Sequence, residues 1–260
     1  MKRSSVIVVA ACACIAATAQ GEIIHAVAGG NLIWFDSASP GTVHTVGPLG
    51  TPGGRTLAYN PGDGFLYTLG GPSNDVDLIR ITPATGAGTA IASLPGGSYY
   101  EALEWVGSKN SLVVSQGPTP GTVTLSTLSF AGAVNPLVTN NRDNDYSVWD
   151  SVRDIFYVND PNGVAQFVRT SLSGPSNTNL GAVAIGDPAY SAASDCFYAT
   201  NWQTNTLLKI VTDGVNAIVV TNLGTIGGAP VAGMAIIPTP ATTVLALGAL
   251  SLFRRARRSG

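Results

Sequence analysis

The chain of 260 residues is poor in charge, in sulfur and in histidine. Only 11% of its residues are charged, and it has three cysteines and two histidines. Each scarcity excludes some chemistry. Cys12 and Cys14 fall in an N-terminal apolar stretch, which leaves Cys196 alone in the body. No intrachain disulfide and no thiolate metal cluster can form there. In the apolar run Cys196-Phe197-Tyr198 this residue reads as a buried small hydrophobe rather than a nucleophile. His25 and His44 sit among apolar neighbours, and so few His and Cys ligands make no zinc site. A catalytic triad would need a nucleophile and an orienting acid as well. Gly-x-Ser-x-Gly, His-Glu-x-x-His and phosphate-loop motifs are absent. No long amphipathic helix is visible.

Both ends read as addresses rather than as domain. Lys2 and Arg3 form a positive start, Val6 to Ala17 an apolar run, and Ala17-Thr18-Ala19 a small-residue cleavage pattern. This is a secretory signal peptide over residues 1–19, cleaved between Ala19 and Gln20. The rival is the lipobox-like Val9-Ala10-Ala11-Cys12, preceded by an apolar run of only about six residues. At the other end, Pro238-Thr239-Pro240 leads into the uncharged run Ala241 to Phe253, closed by Arg254, Arg255, Arg257 and Arg258. A helix over that run would reach roughly 20 Å, short of a hydrocarbon core near 30 Å. The arginines would hold the end on the cytoplasmic side.

Residues 238–260 resemble the PEP-CTERM sorting signal, the C-terminal tag that exosortases process. Thr239 stands where that signal has its middle Glu. The resemblance implies an exosortase-like membrane protease as partner and transient membrane anchoring. It also implies a final place at the cell surface or in the extracellular matrix.

Six of the thirteen basic residues lie in the two terminal segments, and no acidic residue does. The body between them carries seven basic against fifteen acidic residues, a net charge of −8. That excludes nucleic acid as a partner, since its binding needs a basic surface. Low charge density with abundant Gly, Thr, Ser, Asn, Val and Ala suits an exported all-β protein.

The body, residues 20–237, is a repeat. The apolar pairs Leu66-Tyr67, Leu112-Val113, Phe156-Tyr157 and Phe197-Tyr198 recur at 46, 44 and 41 residues. Seven residues before each pair stands an aromatic: Tyr59, Trp105, Trp149 and Tyr190. A fifth copy of this upstream element, Gly233 to Pro238, puts Ile236 in the aromatic's place. Four short strands per unit is the period of a β-propeller blade. Four units fall at about 55–96, 100–141, 145–186 and 187–229. Ile23 to Ala28, Asn31 to Asp36 and Thr42 to Val46 read as a blade without its first strand, which Val231 to Pro238 can supply. The expected fold is therefore an all-β, five-bladed β-propeller with a mixed closing blade, plus a short hydrophobic C-terminal helix at Val244 to Phe253. An open solenoid or a β-sandwich is the alternative. The repeats resemble the YncE-like and quinoprotein-like propellers of exported bacterial proteins, by pattern alone, and that resemblance carries no activity with it.

Propellers bind at the mouths of their channel, so the starts of the innermost strands are the first place to look. In register these are Arg55, Glu101, Asp145, Gly186 beside Asp187, and Ala232. Glu101, Asp145 and Asp187 could offer carboxylate oxygens to a hard cation such as calcium. Asn140 to Asp145 alternates oxygen ligands like a calcium loop, with Asp143 and Asp145 its acids. It lacks the central Gly and terminal Glu, and reads better as a polar turn. The four repeat aromatics read as packing between blades, with a platform for sugar rings as the lesser reading. Trp202 lies in a polar turn and is the better candidate for an exposed contact.

Two function classes follow. The first is a non-enzymatic surface or matrix propeller, a scaffold or binding module for polysaccharide or other surface proteins, needing no cofactor. The second is an extracytoplasmic hydrolase or lyase with an acidic, calcium-assisted mouth. The cleavage pattern yields a direct expectation: terminal sequencing of the exported protein finds Gln20 first, and a lipidated Cys12 would refute it.

Overall fold

A computed structural model describes residues 21–71, 75–96, 98–117, 123–140, 146–160, 166–172, 174–183, 185–212 and 218–238. The N-terminal signal, the expected helix at 244–253, residues 239–260 with Arg254 and Arg255, and the acids Asp143 and Asp145 lie outside them. The described residues form five antiparallel four-stranded sheets. Strands β1 (Ile23–Ala28), β2 (Asn31–Asp36) and β3 (Val43–Pro48) open the chain. The second blade is β4 (Ala58–Asn60), β5 (Phe65–Gly70), β6 (Asp77–Ile81) and β7 (Gly88–Ser93). The third is β8 (Tyr99–Val106), β9 (Ser111–Gly117), β10 (Val123–Leu128) and β11 (Val134–Asn140). The fourth is β12 (Tyr146–Asp150), β13 (Ile155–Asp160), β14 (Gln166–Ser171) and β15 (Gly174–Ala182). The fifth is β16 (Ala189–Ser191), β17 (Cys196–Asn201), β18 (Thr206–Thr212) and β19 (Ile218–Thr225). The last strand, β20 (Val231–Ile236), pairs with β1 from Ile24↔Ile236 onward and completes the first blade.

The innermost strands β20, β4, β8, β12 and β16 touch in that cyclic order, so the ring is closed. This is the five-bladed propeller that the repeat pattern and the orphan strand imply. The burial of each strand follows its place in a blade. β5, β9 and β17 are buried almost throughout, because both their faces meet a neighbouring blade. Their runs are correspondingly continuous in apolar residues rather than alternating. The outermost β7 and β19 keep no buried residue, and they carry the polar Thr and Asn side chains.

There is no single core. Five apolar clusters each fill one wedge between adjacent blades. Tyr67, Leu69 and Leu78 meet Tyr100, Leu112 and Val114 between the second and third blades. Tyr157 of the fourth blade meets Phe197 of the fifth edge-on at 4.9 Å. Ile24, Phe35 and Met234 of the closing blade meet Cys196 and Tyr198 of the fifth, where Cys196 is the buried hydrophobe expected of it. Leu32 and Leu49 meet Leu57 and Leu66 across the wedge on the other side of the closing blade.

One residue shape recurs in the turns. The residue directly before the second strand of each full blade is left-handed: Gly64 (φ 76°), Asn110 (φ 47°), Asp154 (φ 55°) and Asp195 (φ 47°). Gly, Asn and Asp are the residues that reach this conformation at low strain.

Closure is tight at one point. A Cβ on Gly233 of β20 would lie 2.5 Å from the backbone carbon of Thr56 and 2.8 Å from the nitrogen of Leu57. Backbone, not a flexible side chain, occupies that space. Gly233→Ala should therefore push β20 off β4 and lower stability by roughly 1–3 kcal/mol. Urea unfolding measures this, and an unchanged midpoint would contradict so close an approach.

Candidate functional site

All five innermost strands run in the same direction along the axis, so one mouth of the channel gathers their starts and the other their ends. The starts bring together Arg55, Glu101, Gly186, Asp187 and Ala232 around a cavity of about 420 Å³. Tyr146 and Trp202 join them, the latter 61% exposed in its turn. The residue Asp145, expected here, lies outside the described residues. Arg55 donates to the carbonyl of Gly71 at 2.8 Å. Asp187 does not face the mouth as a free ligand. It is buried, and its Oδ2 accepts the backbone N–H of Leu57 at 3.2 Å. The backbone amide of Met234 also draws on this carboxyl. One side chain thus ties the start of β16 to β4 and β20, at the place where the ring closes. Among the described residues no three His, Cys, Asp or Glu side chains converge as a metal would require.

The ends of the inner strands build a different mouth. Tyr59, Trp105, Trp149 and Tyr190 occupy one repeat position, opposite Leu66, Leu112, Phe156 and Phe197 on the second strands. All four line a single cavity of about 460 Å³, with Ile236 in the fifth place. They are mostly but not fully buried, packed between blades as the repeat pattern implies. One side of each ring packs on its inter-blade cluster, and the rest faces the cavity. The physical reason is that wedges of five blades do not meet at the axis. Side chains at the tip of a wedge keep one surface on the channel.

The polar edges of two rings are held from behind by the left-handed turn residues. Trp149 Nε1 donates to Asp154 Oδ1 at 3.0 Å, and Tyr190 Oη donates to Asp195 Oδ1 at 2.8 Å. Both pairs are five residues apart. The same acids join neighbouring blades. Ser108 donates to Asp154 at 2.7 Å, and Arg153 forks onto Asp195 at 2.6 and 2.5 Å while reaching Asp150 at 2.7 Å. Ser191 and Ser194 both donate to Glu22 Oε1, at 2.7 and 2.6 Å, across the closing blade. The Arg153 fork holds the Asp195 carboxyl below its ordinary range.

Glu104 was not singled out from the sequence. It lines the aromatic cavity one residue before Trp105, in a column otherwise held by Ala58, Val148, Ala189 and Ala235. An acid in a column of small and apolar residues was the available signal. Its remaining accessible surface faces the cavity, and protein encloses it otherwise. Burial, and then the nearby charge of Asp187, push its carboxyl well above the usual range. Asp187 is likewise raised by burial, with the Leu57 and Met234 amides pulling the other way. Its Oδ1 is buried and has no hydrogen-bond partner among the described residues. The histidines stand apart from this chemistry. His25 on β1 is lowered to about 4 by burial, and His44 stacks on Trp34 at 4.0 Å on the outer strands.

Fold and mouths together define a five-bladed β-propeller with an aromatic opening at one end of its channel and a polar one at the other. No family model matches the chain, and no curated protein matches its sequence. Solved structures are similar in fold. A chain of the nidogen/laminin complex superposes with a TM-score of 0.59 at 12% identity, over 83% of this chain and 98% of that one. TolB of Acinetobacter baumannii gives 0.52 at 11% identity over 80% of this chain, which spans only 52% of TolB's length. A gluconolactonase of Xanthomonas campestris gives 0.51 at 11% identity, over 82% of this chain and 79% of that one. At such identities the likeness establishes the fold alone.

The raised acids make a prediction with a definite sign. A carboxyl with a higher pKa folded than unfolded binds protons more tightly in the native state. Stability is then greatest below the unfolded value, near 4, and falls as pH rises toward the folded one. Glu104→Gln removes one such group. Its melting temperature should exceed that of the parent at pH 7 and match it below about pH 4. Thermal melts at both pH values check this, and equal shifts at the two would sink it.

Proposed function

We propose that the chain is an exported, non-enzymatic binding module whose ligand enters the aromatic mouth, and that its C-terminal segment is an exosortase-type sorting signal delivering it to the cell surface or matrix. One observation carries the binding reading. A single repeat position in four blades sends an aromatic ring to one shared cavity, and two of the rings, Trp149 and Tyr190, are held by hydrogen bonds to the turns behind them. Rings packed on one side and open to a shared cavity on the other, two of them pre-oriented, suit recognition, since little ordering remains to be done on binding.

Binding is favoured over catalysis by the state of the acids. Asp187 is engaged by backbone amides at the closure, and the polar mouth gathers no three carboxylates among the described residues. A calcium-assisted hydrolase would need such a set.

The address follows from the sequence resemblance, and one feature of the fold accords with it. Glu22 and Pro238, close to the two ends of the described propeller, both line the aromatic cavity. A tether through residues 238–260 would hold the aromatic mouth on the membrane-proximal side until processing. The partners in view are an exosortase-like protease, then surface polysaccharide or surface proteins.

The test compares retention on washed cells and matrix from the producing strain. Trp105→Ala with Trp149→Ala should abolish retention of the processed protein, whereas Trp202→Ala at the polar mouth should leave it intact. The reverse pattern would move the site to the other mouth and overturn the reading.

A further inference from the structure

The cavity at the aromatic mouth has a particular chemical character. Its walls are Tyr59, Trp105, Trp149 and Tyr190, its apolar remainder includes Leu57 and Met234, and its charged groups are Glu22 and Glu104. Among the described residues no Lys or Arg lines it. The body as a whole carries a net charge of −8 between its terminal segments. An anionic ligand such as a phosphate, a carboxylate or a uronic acid meets two acids and no cation among the described residues here.

Part of the hydrogen-bonding capacity of the cavity is committed elsewhere. Trp149 Nε1 is tied to Asp154 and Tyr190 Oη to Asp195. Glu22 Oε1 accepts from Ser191 and Ser194. A neutral sugar needs many donors and acceptors for its hydroxyls, and a primary ammonium needs three acceptors. What the cavity offers instead is ring faces and carboxyl groups. Ring faces carry the negative part of the aromatic quadrupole, which attracts a cation within about 6 Å of the centroid.

The acids deepen this preference. Glu104 lines the cavity, Asp187 lies close enough to influence it electrostatically, and Asp187 Oδ1 is buried without a partner among the described residues. The charge of Asp187 acts on Glu104, burial and the Leu57 and Met234 amides act on Asp187, and among the described residues no cation offsets either carboxyl. A positively charged guest would supply the counter-charge the pair lacks.

From the four aromatic rings, the two acids Glu22 and Glu104 and the donors already tied to Asp154 and Asp195, we infer that the aromatic mouth recognises a methylated, quaternary ammonium group. This ligand has positive charge, an apolar surface and no N–H to satisfy. It rests on the reading of this mouth as the binding site, and it names the group bound there.

The experiment titrates the full chain with choline and with 3,3-dimethylbutan-1-ol, which has the same shape without the charge, following tryptophan emission and heat. Saturable binding of choline is expected, with the neutral analogue about tenfold weaker or worse, the equivalent of ~1.4 kcal/mol. Trp149→Ala and Glu104→Gln should each weaken choline binding severalfold, and Trp202→Ala should not. Circular dichroism establishes that each variant is folded, and the near-isosteric Glu104→Gln keeps the test alive if Trp149→Ala does not fold. Dioleoylphosphatidylcholine vesicles separate two sources of the same group. Flotation with the vesicles that choline competes away assigns a lipid headgroup; choline binding without flotation assigns a soluble or polymer-borne ammonium.

Equal affinity for the neutral analogue, or no saturation by choline up to about 10 mM, overturns the inference. If neutral oligosaccharides then bind and Trp149→Ala abolishes that, the mouth remains the binding site and only the ammonium assignment falls. If folded Trp149→Ala changes the binding of neither class, both readings fall.

Discussion

Everything in this molecule hangs on joining the two ends of the chain in one sheet. A blade has two apolar faces and each is covered only by its neighbour, so an open stack would leave two faces and a row of unpaired strand groups in water. The pairing of β1 with β20 removes both problems at once. It is reinforced at the channel wall, where Asp187 reaches from the start of β16 to the amides of Leu57 and Met234. It also requires Gly233, because the backbone of Thr56 and Leu57 fills the space of a side chain there. The carboxyl at this point is strained electrostatically by its burial, yet its removal would free two buried amides.

The closed ring explains the form of the site. Wedges converge toward the axis without meeting, so the residue at each inner tip has one side packed and one side open. A repeat position then becomes a ring of equivalent side chains around a mouth. Here four of five are aromatic, and in two blades the turn after the inner strand holds the ring. Asp154 and Asp195 consequently serve twice. Their backbones take the left-handed turn, and their carboxylates hold Trp149 and Tyr190. The same acids accept from Ser108 and Arg153 of neighbouring elements, so ring orientation and blade-to-blade registry are set by one hydrogen-bonded belt.

Because the inner strands are parallel in space, the two mouths differ throughout. Polar strand starts gather at one, and aromatic strand ends at the other. The closing blade breaks the symmetry at the aromatic mouth. It contributes Ile236 in place of a fifth ring, and it brings Glu22 and Pro238, the two points where the propeller meets its terminal segments.

The repeat was legible in the sequence because each blade must bury its second strand on both faces. Leu66-Tyr67, Leu112-Val113, Phe156-Tyr157 and Phe197-Tyr198 carry that demand in plain view, and their spacing is the blade. The missing first strand before Ile23 and the surplus one at Val231 followed from counting, and so did the residues that start the inner strands. What the chain could not declare by itself is how far a side chain at a wedge tip stands from the axis. That distance comes from five blades closing at once, and it gives the inter-blade side chains Tyr59, Trp105, Trp149 and Tyr190 a second surface on a shared cavity. The same holds for the acids. Glu104 and Asp187 are 83 residues apart in the chain, and nothing local marks them as neighbours. Only the tertiary ring puts one carboxyl into an aromatic cavity and the other between the backbones it closes, since burial and charge proximity belong to the assembled blades and not to any segment of them.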